Sequence, residues 1–161
     1  MYLIRGKHNL ELFKKLYKDT KLHATIGNFD GLHKGHQSIL SKIKKRAEET
    51  NASSIVFFTE PHASEYFAIS TNTNVEAPPR ICPWRKKFEL LEEYGIDFAF
   101  FLKFNSSLRK MTPETFISDI LEPVGLLSLT VGDDFRFGAN RAGDFQLLRE
   151  WGSKNNINVT N

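Results

Sequence analysis

Thr25-Ile-Gly-Asn-Phe-Asp-Gly-Leu-His-Lys-Gly-His-Gln37 is the stretch that decides the fold. It leaves an apolar run, Leu22–Ile26, that reads as a strand. It turns on Gly27 and Gly31 and enters a helical pattern near Gly35. Through residue 49 that pattern keeps Ile39, Leu40, Ile43 and Ala47 on one face. The first turn of a helix has unpaired N–H groups and a positive dipole end, so it attracts phosphate. His33 and His36 lie three residues apart, so both rings can point to one side of the helix N-terminus. Gly35 has no side chain and lets a ligand lie close to the backbone. Two imidazoles and free amides make a cradle for a polyphosphate. These residues alone leave two other roles open: a surface or capping pair, and a metal site of Asp30, His33 and His36. The glycine-rich, strand-to-helix setting suits an anion better than a metal.

Working outward, strand and helix patterns alternate. Residues 54–59 read as a strand, 84–94 as a helix with Phe88, Leu90 and Leu91 inward, and 97–102 as a strand. Thr112 and Pro113 mark a helix start that runs to Leu121. Residues 127–131 read as a strand, 144–154 as a helix, and 157–160 as the start of a further strand. This alternation predicts an α/β fold with a parallel sheet covered on both faces. Residues 60–83 and 132–143 do not fit it, and both begin where a strand ends. Long connections of that kind are usually binding loops. With residues 27–35 they put three polar segments at the carboxyl edge of the sheet, where parallel sheets bind ligands.

Composition excludes several classes. With 161 residues, 40% hydrophobic and 25% charged, the chain reads as one soluble globular domain. No apolar run is long enough to span a bilayer, and Arg5 interrupts any secretory leader. Cys82 is the single cysteine, which excludes an internal disulfide and fits a cytoplasmic protein. A net charge of +3 suits anionic small molecules and is too mild for a nucleic-acid binder. The basic run at Lys42, Lys44, Lys45 and Arg46 reads as an exposed helix face, and Trp84 and Trp151 as packing residues.

Gly27-Asn-Phe-Asp-Gly-Leu-His-Lys-Gly-His36 resembles the His-x-Gly-His signature of the nucleotidyltransferase superfamily. In detail it is similar to bacterial FAD synthetases, the FMN adenylyltransferase module of the bifunctional riboflavin kinase/FMN adenylyltransferases. Four further blocks agree in order. They are Phe58-Thr-Glu-Pro-His62, Pro79-Arg80-Ile81 with Arg85-Lys86-Lys87, Thr112-Pro-Glu-Thr-Phe-Ile117, and Val131-Gly-Asp-Asp-Phe-Arg-Phe-Gly138 with Arg141-x-Gly-Asp144.

The resemblance implies a Rossmann-like doubly wound sheet of nucleotidyltransferase type. It implies transfer of AMP from ATP to the 5′-phosphate of FMN, with Mg²⁺ held mainly by the nucleotide and no protein metal ligands. It implies His33 and His36 as catalytic groups and Gly27, Asn28, Phe29, Asp30 and Gly35 on the nucleotide side. On the flavin side it implies Phe58, Glu60, Pro61, Arg80, Asp134, Arg136 and Phe137. Cys82 stands where the family has Thr, and Ala63 where it often has Pro. The family's closing Ser-Ser-Thr-x-x-Arg segment and the riboflavin kinase barrel do not occur before Asn161. The expectation is therefore a single adenylyltransferase-like domain over residues 1–161, lacking its C-terminal end and the kinase. A nucleotide- or flavin-binding fragment with little catalysis, and a nucleotidyltransferase with another phosphate acceptor, are the alternatives. Oligomeric state is left open.

Overall fold

In the computed structural model, which describes residues 1–70 and 79–161, six strands form one parallel sheet. They are β1 (Tyr2–Arg5), β2 (Leu22–Ile26), β3 (Ser53–Glu60), β4 (Phe98–Lys103), β5 (Leu126–Thr130) and β6 (Asn158–Thr160). Their spatial order is β1-β4-β3-β2-β5-β6. From β2 the chain winds outward through β3 to β4, then returns to β5 and winds the other way to β6. The order thus reverses between β2 and β5, where Thr25 pairs with Thr130. The carboxyl ends of these two strands border the crevice in which doubly wound sheets bind ligands.

The helices are α1 (Asn9–Leu16), α2 (Lys34–Glu49), α3 (Ala63–Ser70), α4 (Trp84–Glu93), α5 (Ser106–Lys110), α6 (Pro113–Phe116) and α7 (Phe145–Lys154). They cover both faces, as the alternation predicts. On one face Leu22, Ala24 and Ile26 pack with Phe13 of α1, Phe116 of α6 and Leu148 of α7. On the other, Val56 and Phe58 pack with Leu40 and Ile43 of α2 and Leu91 of α4. The strand period of two sends the adjacent Phe57 and Phe58 to opposite faces. Every residue of β2 is buried, which requires a partner for its one imidazole. His23 has Ser128 Oγ at 2.7 Å from Nδ1 and Thr50 Oγ1 at 2.9 Å from Nε2.

Three features differ from the sequence reading. The four residues of β1 and the eight of α1 precede the first strand expected, and their apolar positions recur too briefly to carry a period. Within 60–83, residues 63–70 form α3, while the rest of the expected loop at 71–78 lies outside the described residues. The helix opened by Thr112, whose Oγ1 accepts from Thr115 N at 3.2 Å, does not stay α to Leu121. It widens to a π turn at Ile117–Leu121 and tightens to a 3-10 turn at Glu122–Val124. Among the described residues no helix is long and apolar enough to cross a membrane.

The loop after β5 is anchored at Gly138. Its φ of 74° and ψ of 177° belong to a region that only glycine occupies freely, and a Cβ there would lie 2.7 Å from Pro113 N. Gly138→Ala should cost about 1–3 kcal/mol of stability. It should appear as a lower urea midpoint at unchanged slope, and a midpoint equal to that of the wild type would remove this constraint.

Candidate active site

The glycine-rich stretch leaves the sheet when Gly27 N donates to Phe57 O at 3.1 Å. Phe29 and Leu32 then take positive φ values of 48° and 39° while burying their side chains. Both are non-glycine residues in the left-handed region, a strain that packing must hold. Here Phe29 packs inward, its ring centroid 4.9 Å from that of His36. Asn28 stays exposed. The loop is pinned through its own Asp30, whose two carboxylate oxygens accept from Ile81 N and Cys82 N, each at 2.9 Å. Burial of Asp30 opposes its charge, but the two amides together with the nearby His62 and Lys87 outweigh it and hold its pKa below the usual value. Gly31 lies so close beneath that an added Cβ would sit 2.4 Å from Ile81 Cγ2.

His33 caps α2: its Nδ1 accepts from His36 N at 3.4 Å, in line with its extended backbone. That bond leaves the His33 proton on Nε2 in the neutral ring. The His33 and His36 rings stack face to face with centroids 3.6 Å apart, so both stand on one side of the helix start. Gly35 makes room for this, since a Cβ there would lie 3.2 Å from His33 Cε1. His33 is exposed and His36 half-buried, with its Nδ1 buried and without a partner among the described residues. Burial first, then the neighbouring His33 and Lys87, lower the pKa of His36 to about 4. Asp30 does not join the pair. Its carboxylate is taken by the amides, and no group of three or more His, Cys, Asp or Glu among the described residues could hold a metal ion.

The flavin-side residues divide. Glu60, Pro61 and Arg80 come together at the carboxyl end of β3, where the Glu60–Pro61 peptide is cis. Arg80 bridges Glu60 and Glu65, and Glu65 Oε2 also accepts from His62 N at 2.8 Å. Asp134 and Arg136 are exposed beyond β5, and Arg136 pairs with Asp144 at 3.0 Å. Phe58 and Phe137, expected on the flavin side, have their side chains in the core. Phe58 is 1% exposed in the core under α4, because its strand position points to that face. Phe137 is 7% exposed and packs on Phe116, because it bridges back to Gly143 and turns its ring inward.

Sequence reasoning missed Lys87, which is fully buried and has His62 Nε2 3.0 Å from its Nζ. The signal was present: Lys87 lies four residues before Leu91, on the apolar face of α4. It also missed an aromatic shelf in which Tyr66 and Phe67 of α3 pack against Phe104, with the Arg109 guanidinium 5.1 Å from the Phe67 ring centre. A separate cavity of about 380 Å³ opens at the carboxyl ends of β1 and β4, lined by Arg5, His8, Lys103, Leu108 and Met111. It shares no residue with the histidine pair.

Two outcomes follow from this geometry. Asp30→Ala strips two amides of a charged acceptor and should cost about 1.5–3 kcal/mol. Faster hydrogen exchange at Ile81 and Cys82 would locate the loss, and unchanged exchange would argue against the tie. The second concerns acid. His23, His36 and His62 are all held below the ordinary imidazole value, in each case chiefly by burial. Unfolded imidazoles protonate near pH 6.5, so from there down to about pH 4 the unfolded chain binds more protons. Stability should therefore fall as pH drops through that window. Urea midpoints at pH 7 and pH 5 measure it, and the difference should shrink in His36→Gln.

Comparison with known proteins agrees with the layout. The crystal structure of a protein described as a macrolide-efflux protein from Streptococcus pneumoniae superimposes with a TM-score of 0.73 at 18% identity, covering 99% of this chain and 49% of that one. That likeness establishes the fold. The bifunctional riboflavin kinase/FMN adenylyltransferase of Escherichia coli K12 is 37% identical over 161 residues, and that of Pseudomonas fluorescens 39% over 160. Each alignment covers 99% of this chain, which spans about half the length of these curated relatives (49% and 48%). The FAD synthetase family profile matches residues 16–161. By that match and these identities, the chain belongs to the FAD synthetase family.

Proposed function

We propose that residues 1–161 form an FMN adenylyltransferase domain that transfers AMP from ATP to the 5′-phosphate of FMN and releases pyrophosphate. The observation that carries this reading is the stacked His33–His36 pair at the start of α2, beside the crevice between β2 and β5. Family membership and the activity for which those relatives are named support it.

The nucleophile is already an anion, so no strong base is needed. A phosphate oxygen of FMN bonds to the α-phosphorus of ATP, and the bond from that phosphorus to the bridging oxygen breaks. The electron pair leaves with pyrophosphate. The obstacle is bringing phosphate groups together in line, which is met by positioning and hydrogen-bond donors. His33 and His36 donate to the triphosphate, joined by amides of the first turn of α2 at Lys34 and Gly35. Gly27 and Asn28 border the nucleotide, while Phe29 and Asp30 shape the loop from behind. Above about pH 4 the free His36 ring is neutral and meets the triphosphate as a hydrogen-bonding imidazole. The approaching anion raises its proton affinity as charge builds. Both oxygens of Asp30 are engaged by amides, so the residues present fit a Mg²⁺ carried by the nucleotide rather than one held by the protein. When bound, that ion neutralises phosphate charge.

On the flavin side Glu60, Pro61, Arg80, Asp134 and Arg136 border the acceptor, and Phe58 and Phe137 support them from the core. The exposed part of the Tyr66–Phe67–Phe104 shelf offers the apolar surface a ring system needs. We assign adenylyl transfer, not riboflavin phosphorylation, to these residues, and a cytoplasmic setting suits the free, buried Cys82.

The test is FAD formation from FMN and Mg²⁺-ATP by the purified chain, with pyrophosphate release measured in parallel. His33→Ala and His36→Ala should each lower kcat about 10²–10³-fold. Undiminished turnover in His36→Ala would remove that residue from the mechanism. ATP and FMN binding without FAD formation would make the chain a binding module. Transfer to another phosphate acceptor and none to FMN would make it a different nucleotidyltransferase.

A further inference from the structure

Lys87 is a buried charge that the transfer chemistry above does not use. It is fully buried on α4. Among the described residues its Nζ has one hydrogen-bond partner, His62 Nε2 at 3.0 Å, and it lies 5.3 Å from the Phe58 ring centre. An ammonium has three donors, so one neutral acceptor and a ring face leave it under-satisfied. An apolar side chain of the same length would fill the site without that cost. The charged and titratable groups that face it come from every element around it. Asp30 comes from the glycine-rich loop, Glu60 and His62 from the end of β3, Arg80 and Cys82 from the turn before α4, and His36 from α2. Lys87 therefore stands behind the seam at which Asp30 ties the loop to Ile81 and Cys82.

Resting on the adenylyl-transfer reading, we infer that Lys87 is a positioning residue of the phosphate cradle. Its ammonium holds His62 on one side and the Asp30 seam on the other, and so fixes the loop that carries His33 and His36. Without the positive charge, Asp30 and Glu60 lose a buried counter-charge and the seam loosens. His36 feels the same charge: after burial and His33, Lys87 is the next cause of its lowered pKa. A side chain that merely filled space would affect neither.

Lys87→Met and Lys87→Arg are compared with the unaltered chain, folding being checked by circular dichroism and urea titration. Lys87→Gln replaces Lys87→Met if the latter does not fold. In the neutral variant kcat for FAD formation should fall about 10–100-fold, the cost of a cradle slightly out of place, with a smaller change in KM for ATP. The His36 imidazole, followed by NMR, should titrate above its value of about 4, and the Ile81 and Cys82 amides should exchange faster. Lys87→Arg keeps the charge and should keep the His36 titration near the original. A folded neutral variant with the His36 titration and both amides unchanged overturns the proposal, even where stability has dropped. If the unaltered chain makes no FAD, the adenylyl-transfer reading fails, while the titration and exchange still decide whether Lys87 holds the loop.

Discussion

The carboxylate of Asp30 joins the two halves of this site. It reaches from the loop after β2 to two consecutive amides 51 and 52 residues further along the chain. Hydrogen bonds to a charged acceptor are about twice as strong as neutral ones, and two from adjacent amides fix direction as well as distance. The loop needs that grip. It carries two non-glycine residues at positive φ and brings Gly31 against Ile81, a shape that a free loop would not keep. The N-cap of α2, His33, follows three residues after Asp30, and its stacking partner His36 six residues after it.

Behind the seam the charges are arranged in opposing neighbours. Arg80 lies between Glu60 and Glu65, Glu65 also accepts from the His62 amide, and the His62 ring meets Lys87. Such a network is worth having only if its members are satisfied, because a partly paired buried charge costs more than an apolar one. Most of it is satisfied internally. The exceptions are the Lys87 ammonium, with one acceptor, and the buried oxygen Glu60 Oε2, which has none among the described residues. Both sit at the carboxyl end of the sheet, on the side where the loop must be held. The histidine pair is different: His33 caps the helix through one ring nitrogen, the two rings stack, and His33 is exposed.

The sheet explains why these groups meet at all. Parallel strands place every carboxyl end on one edge, and the strand order reverses between β2 and β5, the place at which doubly wound sheets bind ligands. Many unrelated chemistries share this frame, which is why the likeness at 18% identity speaks for the fold alone. What distinguishes this chain is the set of residues at that edge.

The sequence alone determined the α/β class, the covered parallel sheet, the helix opened at His33-Lys34-Gly35-His36 and the edge on which the polar segments gather. These rest on hydrophobic period and glycine placement, which are local and survive any tertiary arrangement. It also carried the histidine pair, because spacing on a helix start sets which rings can meet. Only the tertiary structure decided that Asp30 faces Ile81 and Cys82 rather than the histidines, that Phe58 and Phe137 are core residues, and that Lys87 is buried beside His62. Each of those depends on a partner from a distant part of the chain. A short, irregular or single-residue feature has no period to announce it, so its environment is set by what packs against it and not by its neighbours in sequence.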